Sequence, residues 1–329
     1  MLSILDQIPI PKGSTSTEAL ARSIEIAKLG DELGYRRIWF AEHHNTNSLA
    51  SSAPEITAAY AAASTKNIRV GTGGVMMMHY SPLKIAEVFK TLSGLAPGRI
   101  DFGVGRAPGG DGLAMTALAS GRRPDLTEQY DKLEIILRLM NEQPTGEAIY
   151  DAVVAVPTKI QLPEAWLLGS SGQSARQAGE NGVGYSFAQF FNGAMSKGIF
   201  DHYRNHFKPS YYMPEPKISV TYAVSIAETE EEAEYLALPM QISRLNLMRG
   251  QIVQSLSPEE AANYPLTEMD KIHIENNRHL MLIGTAKQVA DQIREEKHLY
   301  GFDEAMINCN QFSLEQRLTS YRLLANELL

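Results

Sequence analysis

Short apolar runs alternate with amphipathic stretches along the whole chain. LSIL (2–5), RIWF (37–40), residues 68–71, residues 100–104, AWLL (165–168), GYSFA (184–188), KISVTYAVSI (217–226) and EAMINC (304–309) have the length and make-up of buried strands. Leu20, Ile24, Ala27 and Leu33 keep helical spacing over 17–33, and Gly34 suits the left-handed turn that closes a helix. Pro54 and Pro82 each stand where a first helical turn accepts proline, and a further helix is expected over 124–140. Eight strand candidates, with a helix after nearly every one, argue for an α/β protein folded as a (β/α)8 TIM barrel rather than an open doubly wound sheet.

The spacing breaks once. About eighty residues separate the strand near Val220 from the strand near Met306, more than one βα unit requires. EEAEYLALPMQISRLNLMRG reads as helix, 251–280 as irregular, and GTAKQVADQIREEKHLYG as helix again. The expectation is one domain over 1–329 with an insertion after strand seven, at about 227–280, since the last strand still needs the barrel to pair with.

Composition narrows the partners. Hydrophobic residues make up 44% of the 329 and charged residues 21%, enough for a sizeable core. A net charge of −8 disfavours nucleic acid, which calls for a basic surface. A single cysteine, Cys309, allows neither an internal disulfide nor a thiolate metal cluster. No apolar run reaches membrane-spanning length, and no basic segment precedes an apolar one at the start, so a cytoplasmic location is expected.

The chemistry-bearing residues gather at strand C-terminal ends, the edge at which parallel α/β proteins bind ligands. AEHH (41–44) follows RIWF directly, placing Glu42, His43 and His44 there. Histidine is the natural proton carrier near neutral pH, although both rings could simply bond loop carbonyls. A metal reading is weaker, because adjacent histidines on an extended chain point apart. His202 and His206 have i,i+4 spacing, but HYRNH lacks the glutamate of the zinc-protease motif.

The third strand ends in Gly73–Gly74, and the fourth in Gly103, Gly105 and Arg106 before Ala-Pro-Gly-Gly. The arginine fork suits a phosphate or carboxylate. GVGRAPGG has the look of a dinucleotide fingerprint but fails its test, since no helix is expected until about 124; a flexible loop gating the site is the better reading. Gly103 and Gly105 also fit tight barrel packing, which leaves Arg106 unexplained. MMM (76–78) suits an adaptable apolar wall or plain core packing. Gly169, Ser170 and Ser171 stand where a helix begins, so backbone N–H groups, hydroxyls and the helix dipole make an anion site; ordinary serine capping is the plainer alternative. Arg106, on the neighbouring strand, could face the same anion.

These motifs together, with LSILDQIPIPKG, SSAPE, HYSPLKIAEVF, LLGSSGQSA and RLTSYRLLANEL, resemble the bacterial luciferase-like flavin monooxygenases, particularly their single-chain members, over essentially the whole chain. The resemblance implies a barrel with an insertion near strand seven. It implies reduced FMN at the C-terminal face, oxygen activated as a flavin hydroperoxide, and insertion of one oxygen atom into a small organic substrate. It further implies flavin supplied by a separate flavin reductase and a homodimer or higher homo-oligomer. Arg106 with Gly169, Ser170 and Ser171 matches the phosphate site. Glu42 and His43 match positions beside the flavin, His43 the catalytic one. Gly73–Gly74 matches a non-prolyl cis peptide beneath the ring. Where luciferase has a reactive cysteine before the arginine, this chain has Gly105, so long-chain aldehyde chemistry need not transfer. Two alternatives stay open: a deazaflavin-dependent dehydrogenase, and a non-catalytic FMN-binding protein.

Overall fold

All eight expected strands form in the computed structural model, which describes residues 1–122, 129–192 and 195–329. They are β1 (Leu2–Asp6), β2 (Arg37–Phe40), β3 (Arg69–Thr72), β5 (Ile100–Gly105), β6 (Glu164–Gly169), β7 (Gly184–Ala188), β8 (Ile218–Ala227) and β10 (Glu304–Asn308). A two-residue strand, β4 (Val75–Met76), pairs with the end of β5, and β9 (Met281–Thr285) pairs with β8. Every pairing is parallel. Neighbours run β10-β1-β2-β3-β5-β6-β7-β8, and β8 returns to β10, closing a (β/α)8 barrel.

Local chemistry sets the helices. Thr15 caps Ser16–Leu33 in a reciprocal box with Glu18, and Gly34 ends it at φ 84°. Pro54 opens Pro54–Ser64 and Pro82 opens Pro82–Leu95, as expected. Of the helix expected over 124–140, Gln129–Met140 is observed, and its expected start lies outside the described residues. Two expectations are corrected. The stretch 251–280 is not irregular: it holds helices Pro258–Ala262 and Glu268–Asn276, both N-capped by reciprocal side-chain bonds, and a 3-10 turn at Arg278–Leu280. A helix, Gly112–Leu118, also forms before 124, because Asp111 accepts from Ala114 N–H and caps it. Among the described residues no helix is long and apolar enough to cross a membrane.

Strand alternation sends one set of side chains to the surrounding helices and the other into the barrel. Ile4, Ile38, Phe102, Val104, Tyr222 and Ile307 join the core beneath the helices. Leu5, Trp39, Ala41, Trp166 and Met306 pack together inside the barrel. At the N-terminal end of the strands, buried Arg37 reaches Asp101 (2.7 Å), Glu304 (2.8 Å) and Glu164 (3.2 Å), with its guanidinium 4.8 Å from the Trp166 ring. Burial alone would push the Asp101 carboxyl up, but Arg37 and Arg69 outweigh it and hold it below its usual value. This plug closes one end of the barrel and leaves the C-terminal rim for a ligand.

Candidate functional site at the C-terminal rim

β2 passes directly into Ala41–Glu42–His43–His44. Glu42 is buried, and its carboxylate accepts from Met76 N–H (2.8 Å), the Tyr80 hydroxyl (2.7 Å) and His44 Nε2 (2.8 Å). A buried carboxylate needs such a set of donors, and the set fixes its position. Burial first, then Glu42, pushes the Tyr80 hydroxyl well above the ordinary phenol range, so it remains a donor.

His43 lies on the other side of the chain. Its backbone N–H donates to the Ser51 carbonyl (2.7 Å), but its Nδ1 is buried with no hydrogen-bond partner among the described residues. Burial, and next the charge of His44, lowers its pKa to about 4, so the imidazole is neutral at pH 7. The two histidines therefore differ: His44 is committed to Glu42, and His43 Nδ1 has no partner among the described residues.

The Gly73–Gly74 peptide is cis. Gly73 N–H donates to the Phe40 carbonyl (2.7 Å). A Cβ on Gly73 would come within 2.6 Å of Leu5 Cδ1, and one on Gly74 within 2.9 Å of the Gly103 carbonyl oxygen. Only glycine fits where the wall is this thin. Gly103 is a packing residue by the same measure, since its Cβ would meet the Thr72 carbonyl oxygen at 1.9 Å. Gly105 is different: its Cβ would find only Met76 Sδ, at 4.0 Å, so the rim is open there.

Arg106 follows β5 directly. Its guanidinium is exposed, stacks 4.6 Å above the Tyr130 ring, and pairs with no carboxylate among the described residues. The Tyr130 hydroxyl is buried without a partner among the described residues. Val104 pairs with Leu167, so Gly169 at the end of β6 stands beside Arg106. Ser171 caps helix Gly172–Glu180 by accepting from Ser174 N–H, the role of the plainer reading. A hydroxyl that accepts still has a proton to donate, and the N–H groups of the first turn point outward along the helix axis. Ser170, half-buried, lies between them.

The segment after Arg106 bonds to the β2 and β3 ends. His44 N–H donates to the Gly109 carbonyl (2.7 Å), His79 Nε2 to the Pro108 carbonyl (2.8 Å), and Asn45 Nδ2 to Asp111 (2.9 Å). Met77 lies in the main core, whereas Met76 borders Gly105 and Gly109 at the rim. His206 turns its Nδ1 to the His202 carbonyl (2.8 Å). Clefts along β9, one bordered by Arg244 and Asn277 and another by Gln189 and Glu296, include none of the expected site residues.

The expected residues thus form two groups on one rim: Glu42, His43 and Gly73–Gly74 on β2 and β3, and Arg106 with Gly169, Ser170 and Ser171 on β5 and β6. Sequence reasoning missed Tyr80 and Tyr130. Neither carries a local signal, because each matters only through a partner far along the chain.

A family model described as luciferase-like monooxygenase matches residues 1–304. The chain is 34% identical over 333 residues to the N-acetyl-S-alkylcysteine monooxygenase of Bacillus subtilis (strain 168), covering 100% of this chain and 98% of that protein. The crystal structure of apo-MsnO8 superposes with a TM-score of 0.91 at 33% identity, covering 99% of this chain and 97% of that one. The oxygenating constituent of 3,6-diketocamphane monooxygenase of Pseudomonas putida, solved in complex with FMN, shares the fold at a TM-score of 0.70 and 18% identity, over 100% of this chain and 99% of that one.

Proposed function

The chain belongs to the luciferase-like monooxygenase family, and from that premise we propose that it is an FMNH2-dependent monooxygenase of a small organic substrate. The observation that carries the reading is His43: a neutral imidazole whose buried Nδ1 has no partner among the described residues, on the rim shared with an arginine that pairs with no described carboxylate.

The residues present fit the cofactor. Arg106, the Ser171 hydroxyl and the first N–H groups of helix Gly172–Glu180 would hold the phosphate, and the buried Tyr130 hydroxyl, without a partner among the described residues, would add a donor beside them. Glu42 and the Gly73–Gly74 wall would border the ring. Bound in its reduced form, FMN supplies the two electrons with which O2 gives one oxygen atom to substrate and one to water. His43 accepts or returns a proton at Nδ1 during that transfer. Glu42, immobilised by Tyr80, Met76 N–H and His44, keeps the segment that carries His43 fixed. A separate flavin reductase would provide the reduced flavin.

The test is anaerobic titration with FMNH2, followed by oxygen and a panel of small sulfides, ketones and amines. One turnover should yield oxygenated product with stoichiometric flavin oxidation. Tight FMNH2 binding with only hydrogen peroxide released, for every compound, would remove the monooxygenase assignment.

A further inference from the structure

Three amide side chains meet on the rim opposite the Arg106 group. β1 and β10 pair with Ile4 opposite Ile307, so Gln7 and Asn310, just past the two strand ends, stand side by side. Asn310 Nδ2 donates to Gln7 Oε1 (2.7 Å) and to Asn308 Oδ1 (3.0 Å), and Asn308 Nδ2 donates to the Leu5 carbonyl (3.2 Å).

Amide nitrogen and oxygen are told apart by what they face. The Leu5 carbonyl can only accept, so it orients Asn308. Asn308 then orients Asn310, and Asn310 orients Gln7. The chain of bonds leaves two atoms over. Asn310 Oδ1 is buried with no partner among the described residues, and Gln7 Nε2 donates to no described residue. Buried acceptors are seldom left so without a ligand or water to answer them. The backbone here is also unusual. Ile8, buried and β-branched, sits at φ 54°, held by Asp6, which accepts from its N–H (2.9 Å), and by Ala50, which donates to its carbonyl (2.9 Å). Such a residue persists only where its surroundings over-determine it, as at ligand clamps.

Position completes the case. β5, which carries Arg106, lies four strands round the ring from β10 in either direction. β2, which leads to His43, adjoins β1. The inward positions of the ring between them include the small residues Ala41, Gly105 and Ala223.

We propose that Gln7 and Asn310 form a substrate subsite for a neutral lactam or primary amide, which presents N–H and C=O on one edge. The inference rests on the reading of the Arg106 corner as the flavin phosphate seat, which leaves the opposite rim to the second reactant. Asn310 Oδ1 requires a donor, and Gln7 Nε2 requires an acceptor. A carboxylate or sulfonate would set negative oxygen against Asn310 Oδ1, and an alkyl chain would leave both atoms unanswered.

The experiment uses the full chain, 15N-labelled and saturated with oxidised FMN. It is titrated with 2-pyrrolidinone, with N-methyl-2-pyrrolidinone, which lacks the N–H, and with γ-butyrolactone, which lacks the nitrogen. The side-chain amide resonances of Gln7 and Asn310 are followed. The lactam should shift both saturably and bind about five- to tenfold more tightly than either analogue, the worth of one buried hydrogen bond. Asn310→Leu should abolish the discrimination. Gln7→Glu, which keeps the oxygen that receives Asn310 Nδ2 and replaces only the free donor, should weaken the lactam by a similar factor with FMN affinity unchanged. Equal binding of all three probes by a protein with normal FMN affinity overturns the subsite alone. Loss of FMN affinity in both variants, with lactam binding intact, overturns it by assigning the rim to the flavin. A protein that binds no FMN overturns the flavin reading and the subsite together.

Discussion

Replacing Arg106 by alanine separates the phosphate from the rest of the flavin. The guanidinium is exposed, rests on the Tyr130 ring at 4.6 Å, and has no carboxylate partner among the described residues. Its removal therefore strands no buried charge and costs little stability. On the proposed reading the variant should lose a charge-assisted, two-pronged contact to phosphate, about 1.5–3 kcal/mol, which is a fall in FMN affinity of about ten- to hundredfold. Solvent exposure favours the lower part of that range, and rising salt should narrow the gap between wild type and variant. Riboflavin, which lacks the phosphate, should bind both proteins alike. Arg106→Lys should fall between them, since it keeps the charge and loses the fork. The assay is quenching of flavin fluorescence, titrated with FMN and with riboflavin at two salt concentrations. Equal losses for the two ligands would refute the phosphate assignment and leave Arg106 a partner of Tyr130 only.

Further outcomes follow from the same geometry. His43→Ala should keep FMNH2 binding near wild type but lower product formation by about 10²–10⁴-fold, with oxygen leaving as hydrogen peroxide. A product-to-peroxide ratio equal to wild type would make the histidine structural. His43 should also mark the acid limb of stability. Its folded pKa near 4 lies below the ordinary histidine value of about 6.5, so the unfolded chain binds the proton first. Stability is then constant above about pH 7 and falls as pH drops from 6.5 to 4, by up to about 3 kcal/mol. Denaturant titrations of His43→Gln should lack that slope, and an unchanged slope would assign it elsewhere. Gly103→Ala should fail to accumulate as folded protein, because its Cβ meets a carbonyl oxygen at 1.9 Å, whereas Gly105→Ala, with 4.0 Å of clearance, should melt within a few degrees of wild type. Comparable melting of the two would show that the wall at Gly103 yields.

What the chain determines by itself is whatever depends on near neighbours. Period-two and helical patterning, the Thr15–Glu18 box, Gly34, Pro54 and Pro82 are local, and the eight barrel strands and their helices follow from them. Placing Glu42, His43 and Arg106 on one rim needed no more than strand direction, because parallel strands bring all their C-terminal ends to the same edge. β9 was not legible: its partner is the second half of β8, more than fifty residues earlier, and no local pattern names a partner. The capped helices within 251–280 and at Gly112–Leu118 were missed because each is too short, at five to nine residues, for a helical period to show. The finer chemistry belongs to the tertiary structure. AEHH cannot say which histidine Glu42 captures and which keeps a free Nδ1, nor that Tyr80 and Tyr130 complete the two groups. Gln7 and Asn310 lie 303 residues apart and meet only because β10 closes the barrel against β1. Such contacts arise from register and closure, which the whole set of strands decides together, and that is why they appear only once the ring is complete.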